Sequence, residues 1–398
     1  MSNRSEFIPL SIPNLSGNEL QYVTEAITTG WVSTAGKYVN EFEKKLSEYV
    51  GIEGAVSCQN GTAGLHIALM LCDIKQGDEV IVPTLTFIAA VNPVKYIGAE
   101  PVFMDCDDSL CIDWKKIKNF CENECIFENN VLINKKSKRT IKAIVVVHVF
   151  GNMADMSKIM IIARKYNLKV VEDATEALGT YYLEGEFKGR YAGTIGTVGV
   201  YSFNGNKIIT TGGGGMIVSN EKNLLEKAKH LTTQAKSDEI NYLHDEVGYN
   251  YRMTNIQAAI GLAQLEKLEE FIKIKNDNYN YYKENFSALS DVELLDVRGD
   301  IRSNRWFYAL KINDFEKKTR DHVIKYLAEK KIQTRPIWGL ISEQKPYLNC
   351  QTFDIKKAKY YREKVINIPC STNLLEDDKT YVVDSIRKCM EMKKANDI

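Results

Sequence analysis

The chain has no excess of charge of either sign: Lys plus Arg and Asp plus Glu each number 52 among 398 residues. Such a balance gives no electrostatic reason to expect nucleic acid or an anionic membrane as a partner. No apolar run approaches the roughly 20 residues that span a bilayer. Residues 1–9 contain neither an apolar h-region nor a small-residue cleavage site, so no targeting segment is expected there. Cysteines at zinc-knuckle spacing are also missing. Cys106, Cys111, Cys121 and Cys125 lie near one another, but at intervals that suit no metal site, and no metal is expected. Nine cysteines, an odd number scattered along the chain, suit reduced thiols in a cytoplasmic protein. Repeats and low-complexity segments are lacking. What remains is 44% hydrophobic and 26% charged, an ordinary globular composition on a chain long enough for two domains.

The capping-box spacing Ser16-Gly17-Asn18-Glu19 predicts a helix running to about Thr29, where Gly30 stops it. Phe42, Leu46 and Tyr49 fall on one face of a second helix over 39–49. From Ala55 onward, strand, loop and helix alternate. Strands are expected at 55–58, 79–83, 101–105, 143–149 and 168–172, with helices over 64–72 and from about 155. The stretch 143–149 is almost wholly β-branched, as in strands buried on both faces. This alternation argues an α/β fold with a mainly parallel sheet covered by helices. The polar, charged stretch 121–142 reads as a solvated surface hairpin, with a basic cluster at 135–139. A long helix over 255–286 is the expected bridge to a smaller α+β domain, so the chain divides into 1–260 and 261–398.

Within the first part, Lys207 lies on a loop after the run Tyr201-Ser202-Phe203-Asn204-Gly205-Asn206, among small uncharged neighbours. Asp173 ends an apolar strand, at the carboxyl edge where open α/β sheets bind ligands. Asn60-Gly61-Thr62-Ala63-Gly64 precedes a helix, and free amides at a helix start bind phosphate. Taken singly, each has a plain reading: a surface lysine, a helix-capping Asp, an N-cap. Together they match the needs of pyridoxal 5′-phosphate (PLP). An amine condenses with the cofactor aldehyde, an acid keeps the pyridine nitrogen protonated, and a cradle holds the phosphate. Ser202 adds a hydroxyl from the lysine's own loop. Phe87, after a strand end, is placed to stack on a ring or to fill the core, and His148 to approach that ring or to sit satisfied in the core. Gly212 to Gly215 match no nucleotide-loop fingerprint, since Met216 and Ile217 follow, and read as a turn into a strand at 216–219.

These segments, with Pro83-Thr84-Leu85-Thr86-Phe87, Val147-His148-Val149-Phe150-Gly151, Glu172 to Gly179 and Gly248-Tyr249-Asn250-Tyr251-Arg252-Met253, resemble the DegT/DnrJ/StrS family of PLP-dependent sugar aminotransferases over nearly the whole chain. The resemblance implies the fold-type-I, aspartate aminotransferase-like architecture, with a mainly parallel seven-stranded sheet in the large domain. It implies that Lys207 carries the cofactor and shuttles the proton, and that Asp173 pairs with the pyridine nitrogen. It places Phe87 on the ring and gives the phosphate to Gly61, Thr62, Ala63 and Ser202. Asn250 would reach the phosphate of a neighbouring copy, making a homodimer with shared sites. Glu176 stands where many members have Gln beside the ring, and Gly213 where the family usually has Glu.

The run 202–211, the segment Gln333-Thr334-Arg335-Pro336-Ile337-Trp338-Gly339 and the excursion at 121–142 are most similar to the legionaminic acid and bacillosamine aminotransferases. That likeness implies transfer of the amine of L-glutamate to carbon 4 of a nucleotide-linked 4-keto-6-deoxy sugar, a UDP-linked 2-acetamido sugar in particular. Trp31, Ser33, Arg335 and Trp338 are candidates for the nucleotide-sugar cleft, by stacking and phosphate pairing. Two alternatives share the fold. A PLP-dependent sugar dehydratase would carry histidine in place of Lys207, and a non-catalytic sensor would have no use for Lys207 and Asp173.

Overall fold

The computed structural model describes residues 6–238, 240–313 and 317–396. Its centre is a ten-stranded sheet. Across the sheet run Gly54–Cys58, Gly215–Ser219, Val198–Ser202, Lys169–Asp173, Thr140–Val147, Glu79–Pro83, Glu100–Met104 and the short Thr352–Phe353. All are parallel except Gly215–Ser219, which is antiparallel to both neighbours. The first seven of these are the core of the sheet, and the expected excursion completes it. Cys125–Glu128 and Val131–Asn134 form a hairpin whose second strand pairs with the start of Thr140–Val147. That central strand buries Ala143 through Val147 on both faces, at about 1.5–3 kcal/mol for each large aliphatic side chain removed from water.

The helix starts follow local chemistry. Asn60 caps Gly61–Leu71 by accepting the Ala63 N–H at 2.8 Å, and Asp155 caps Met156–Lys165 through the Lys158 N–H. The first helix departs from expectation. It spans Glu19–Thr28 with Asn18 at the cap position and no side-chain cap bond. Glu19 is instead drawn inward, where it accepts from the Gly17 N–H and the Gln264 amide. A tertiary partner has overridden the Ser16 capping box.

The long helix Asn255–Phe286 opens on a capping box between Thr254 and Gln257. Its first half, through Ala258, Leu262, Leu268 and Ile272, packs into the larger core, and its second half, through Tyr279, Tyr282 and Phe286, into a smaller one. The hydrophobic changeover therefore lies inside this helix, beyond residue 260. The smaller core also takes in Ile8, and Ile337, Leu340, Tyr347 and Tyr361 return to the larger one. A four-stranded antiparallel sheet, Val292–Leu294, Tyr308–Ile312, Val365–Ile368 and Arg335–Pro336, forms the frame of the small domain. Among the described residues, no helix is long and apolar enough to cross a membrane.

Candidate active site

The carboxyl ends of the parallel strands converge on one cleft of about 350 Å³, where open α/β sheets place their ligands. Asp173 is the last residue of its strand. Its carboxylate is buried, accepts the Thr175 N–H at 3.1 Å and faces the cleft. Burial raises its pKa above the ordinary range, against the pull of the Thr175 bonds and the Lys207 charge. A buried acid in that condition favours a cationic or donating partner.

Lys207 reaches the cleft from a loop that the chain itself closes. Its N–H bonds to the Asn204 carbonyl, the Phe203 N–H to Gly214, and the Thr211 N–H back to Phe203. Gly214, at φ +97°, makes that return possible and donates its N–H to the Gln59 carbonyl. The tetraglycine thus joins the lysine loop to the helix start at Asn60, ahead of the strand Gly215–Ser219. Burial lowers the pKa of the Lys207 amine, and Glu176 and Asp173 oppose the fall. A lowered pKa makes the unprotonated amine, which is the nucleophilic form, easier to reach.

Glu176 also interacts with the amine. It is buried and accepts the Phe150 N–H at 2.8 Å. Burial pushes its carboxyl up to about 7, with Asp173 adding to the rise and Lys207 opposing it. Near neutral pH much of it is protonated, and a protonated Glu, like Gln, offers both a donor and an acceptor. The departure from Gln at this position therefore preserves the capacity to donate.

Gly61 leaves no room for a side chain where the cradle meets Ser202. A Cβ there would lie 2.9 Å from Ser202 Cβ and 3.1 Å from Thr175 Cγ2. The Thr62 side of the helix start and Ser202 face the cleft, with Phe87 and Trp338 along its walls. Ala63 does not line it, and its N–H is already held by Asn60.

Five other expected residues stand elsewhere. His148 is fully buried behind the sheet end. Its Nδ1 accepts the Ala154 N–H, so Nε2 carries the proton and donates to Glu172 at 2.9 Å. Burial works against a charged Glu172, but His148 and the N–H groups of Gly193 and Gly196 overcome it and hold its pKa below the ordinary value. His148 therefore orders the core beneath Asp173 and does not approach the cleft. Asn250 and Ser33 are exposed, and Trp31 lines a separate surface concavity with Tyr38 and Asn255. Arg335 is exposed at the end of the small sheet. None of the five lines this chain's own cleft.

The structure also brings in residues that no sequence signal singled out. Trp306 and Phe307, just before the strand Tyr308–Ile312, also line the cleft, and the Lys207 amine sits 4.1 Å from the centre of the Trp306 ring. Thr86, Asn204 and Asn206 complete the wall. In sequence, only the run Ser303-Asn304-Arg305-Trp306, polar and then aromatic just before a strand, could have signalled this position.

Comparison with known proteins bears on this arrangement directly. The model of the DegT/DnrJ/EryC1/StrS aminotransferase family matches residues 13–387. The chain belongs to this family. It is 37% identical over 391 residues to a GDP-perosamine synthase of Escherichia coli O157:H7, covering 96% of this chain and 98% of that one. To a GDP-perosamine synthase of Caulobacter vibrioides it is 38% identical over 381 residues, covering 95% and 97%. The crystal structure of a DegT DnrJ EryC1 StrS aminotransferase from Brucella abortus superposes with a TM-score of 0.84 at 26% identity, covering 93% and 95%. The protein is a sugar aminotransferase of the fold-type-I architecture, and enzymes of this family use PLP. The cleft suits that cofactor on its own evidence. It offers a depressed amine, a buried acid whose raised pKa a protonated ring nitrogen would relieve, and a cradle that a single added methyl at Gly61 would obstruct.

Proposed function

We propose that this enzyme moves the amine of L-glutamate to carbon 4 of a 4-keto-6-deoxy sugar carried on a nucleoside diphosphate, with 2-oxoglutarate as the other product. The observation that carries the reading is the convergence of Lys207, Asp173 and Glu176 on a single cleft walled by Phe87, Trp306, Phe307 and Trp338. When bound, PLP supplies a conjugated ring that accepts the electron pair left when a proton leaves the amine-bearing carbon. Lys207 Nζ takes that proton and returns it on the other side of the exchange, as general base and then acid. The Asp173 carboxylate would keep the ring nitrogen protonated. The Thr62 N–H and the Ser202 hydroxyl would hold the phosphate, and Phe87 would stack on the ring. The Glu176 carboxyl, while it keeps its own proton, could donate to the ring hydroxyl. The exposed positions of Asn250, Trp31 and Ser33 support their belonging to the cleft of a second copy, in a cytoplasmic homodimer with shared sites.

Two GDP-perosamine synthases at 37% and 38% identity favour GDP as the carrier. The segments 202–211 and 333–339 favour a second reading, a UDP-linked 2-acetamido sugar of the legionaminic acid or bacillosamine type. The deciding experiment incubates the enzyme with glutamate and GDP-, UDP- and dTDP-linked 4-keto-6-deoxy sugars, and detects the amino sugar by mass. Amination of the GDP sugar alone is expected. Amination of only the UDP-acetamido sugar would select the second reading, and no amination of any of them would refute both.

A further inference from the structure

Trp306 is 4% exposed, and three separate anchors hold it. Its backbone N–H donates to Asn304 Oδ1 at 3.0 Å, while the Asn304 amide donates to the carbonyls of Glu176 and Leu178. The loop that ends in Trp306 is thereby fastened to the loop that follows Asp173. Its carbonyl accepts from Lys275 Nζ at 2.8 Å and from the Cys370 thiol. Lys275 is buried on the interdomain helix, and among the described residues it forms no ion pair. Its ring stacks on Phe307, with centroids 4.0 Å apart and planes 7° from parallel. From this fixed position the ring reaches Lys207 in two ways. The indole N–H donates to the Asn206 carbonyl at 2.6 Å, pinning the residue before the lysine, and the ring face lies 4.1 Å from Nζ.

We propose that Trp306 is the positioning residue for Lys207. Its indole N–H sets the height of the lysine loop, and its π face steadies positive charge on the lysine nitrogen, so the packing that holds Trp306 governs how readily that nitrogen holds its proton. The inference rests on Lys207 being the residue that carries the cofactor. The groups facing the nitrogen are Asp173 from the end of the acid strand, Glu176 from the loop that follows it, and Trp306 from the segment before the strand Tyr308–Ile312. Lys275 lines a small cavity behind it. The two carboxyls and the ring face all favour the charged nitrogen, and burial opposes it. Removing the ring must therefore make the proton easier to lose.

The test follows the visible absorbance of the PLP-loaded enzyme against pH, and fixes the linkage with borohydride to locate the modified residue. Trp306→Leu is expected to lower the titration midpoint by about half to one pH unit, with the label still on Lys207. Trp306→Phe keeps a ring face and is expected to recover most of that shift. A form that preserves packing guards against misfolding of the leucine variant. Replacing tryptophan throughout by a fluorinated analogue weakens the negative face without changing the shape. It should lower the midpoint by a smaller amount in the wild type and leave Trp306→Phe unmoved. Coincident midpoints in the wild type, Trp306→Leu and fluorinated proteins, with Lys207 labelled in each, would overturn the inference alone. A label on another amine in the wild type would overturn the Lys207 assignment and the inference with it.

Discussion

Replacing Glu176 by Gln should make the cofactor-free protein more stable, and only on the alkaline side. The carboxyl is buried and held at about 7, against an ordinary value of 4.5. At 1.36 kcal/mol per pH unit, that displacement corresponds to about 3 kcal/mol. The sign follows from proton binding. The folded state holds the Glu176 proton more tightly than the unfolded state, so the wild type is unpenalised below pH 4.5 and loses stability as the pH rises to 7. Above 7 the loss is complete. Gln keeps an oxygen for the Phe150 N–H and has no charge to bury. The two proteins should therefore unfold alike near pH 4.5 and separate progressively up to pH 8. For a chain of 398 residues, with about 2.1 cal/mol/K of unfolding entropy per residue, the separation amounts to roughly 3–4 °C in Tm. Thermal unfolding of both cofactor-free proteins between pH 5 and 8, followed by circular dichroism at one scan rate, measures it. A difference that stays constant across that range would show that Glu176 is already ionised in the fold, and the account of its raised pKa would be wrong.

Gly61→Ala should weaken PLP uptake at least tenfold while leaving the fold intact, because the new methyl meets Ser202 and Thr175 inside the cradle; equilibrium binding by fluorescence checks this, and unchanged affinity would contradict the cradle. His148→Leu should destabilise the protein by about 3 kcal/mol, because Glu172 would remain buried without its imidazole partner; urea unfolding reads the loss, which should shrink as the pH falls and Glu172 becomes protonated. Lys207→Ala should abolish amine transfer and borohydride labelling together, yet still bind PLP non-covalently between Asp173 and the cradle. Retained turnover would show that another group moves the proton.

The sequence alone determined what is local along the chain. The β-branched strand Thr140–Val147, the helix Asn255–Phe286 and the acid at the end of Lys169–Asp173 each announce themselves within a few residues, through periodicity, capping and strand-end chemistry. Because parallel strands share one carboxyl edge, finding Asp173 at the end of one strand and Asn60 just after another already placed them on one side of the sheet. Only the tertiary structure decided which side chains turn toward the cleft. His148 and Glu172 sit beside the expected acid in sequence or register, but they face each other in the core, because two buried polar groups satisfy one another there. Trp306 lies 99 positions beyond Lys207, and nothing in its own neighbourhood points to a lysine; its place depends on Asn304 bonding to the loop at 176–178 and on Lys275 holding its carbonyl. Such pairings rest on long-range hydrogen bonds and burial, which leave no periodic trace in either partner's own stretch of chain.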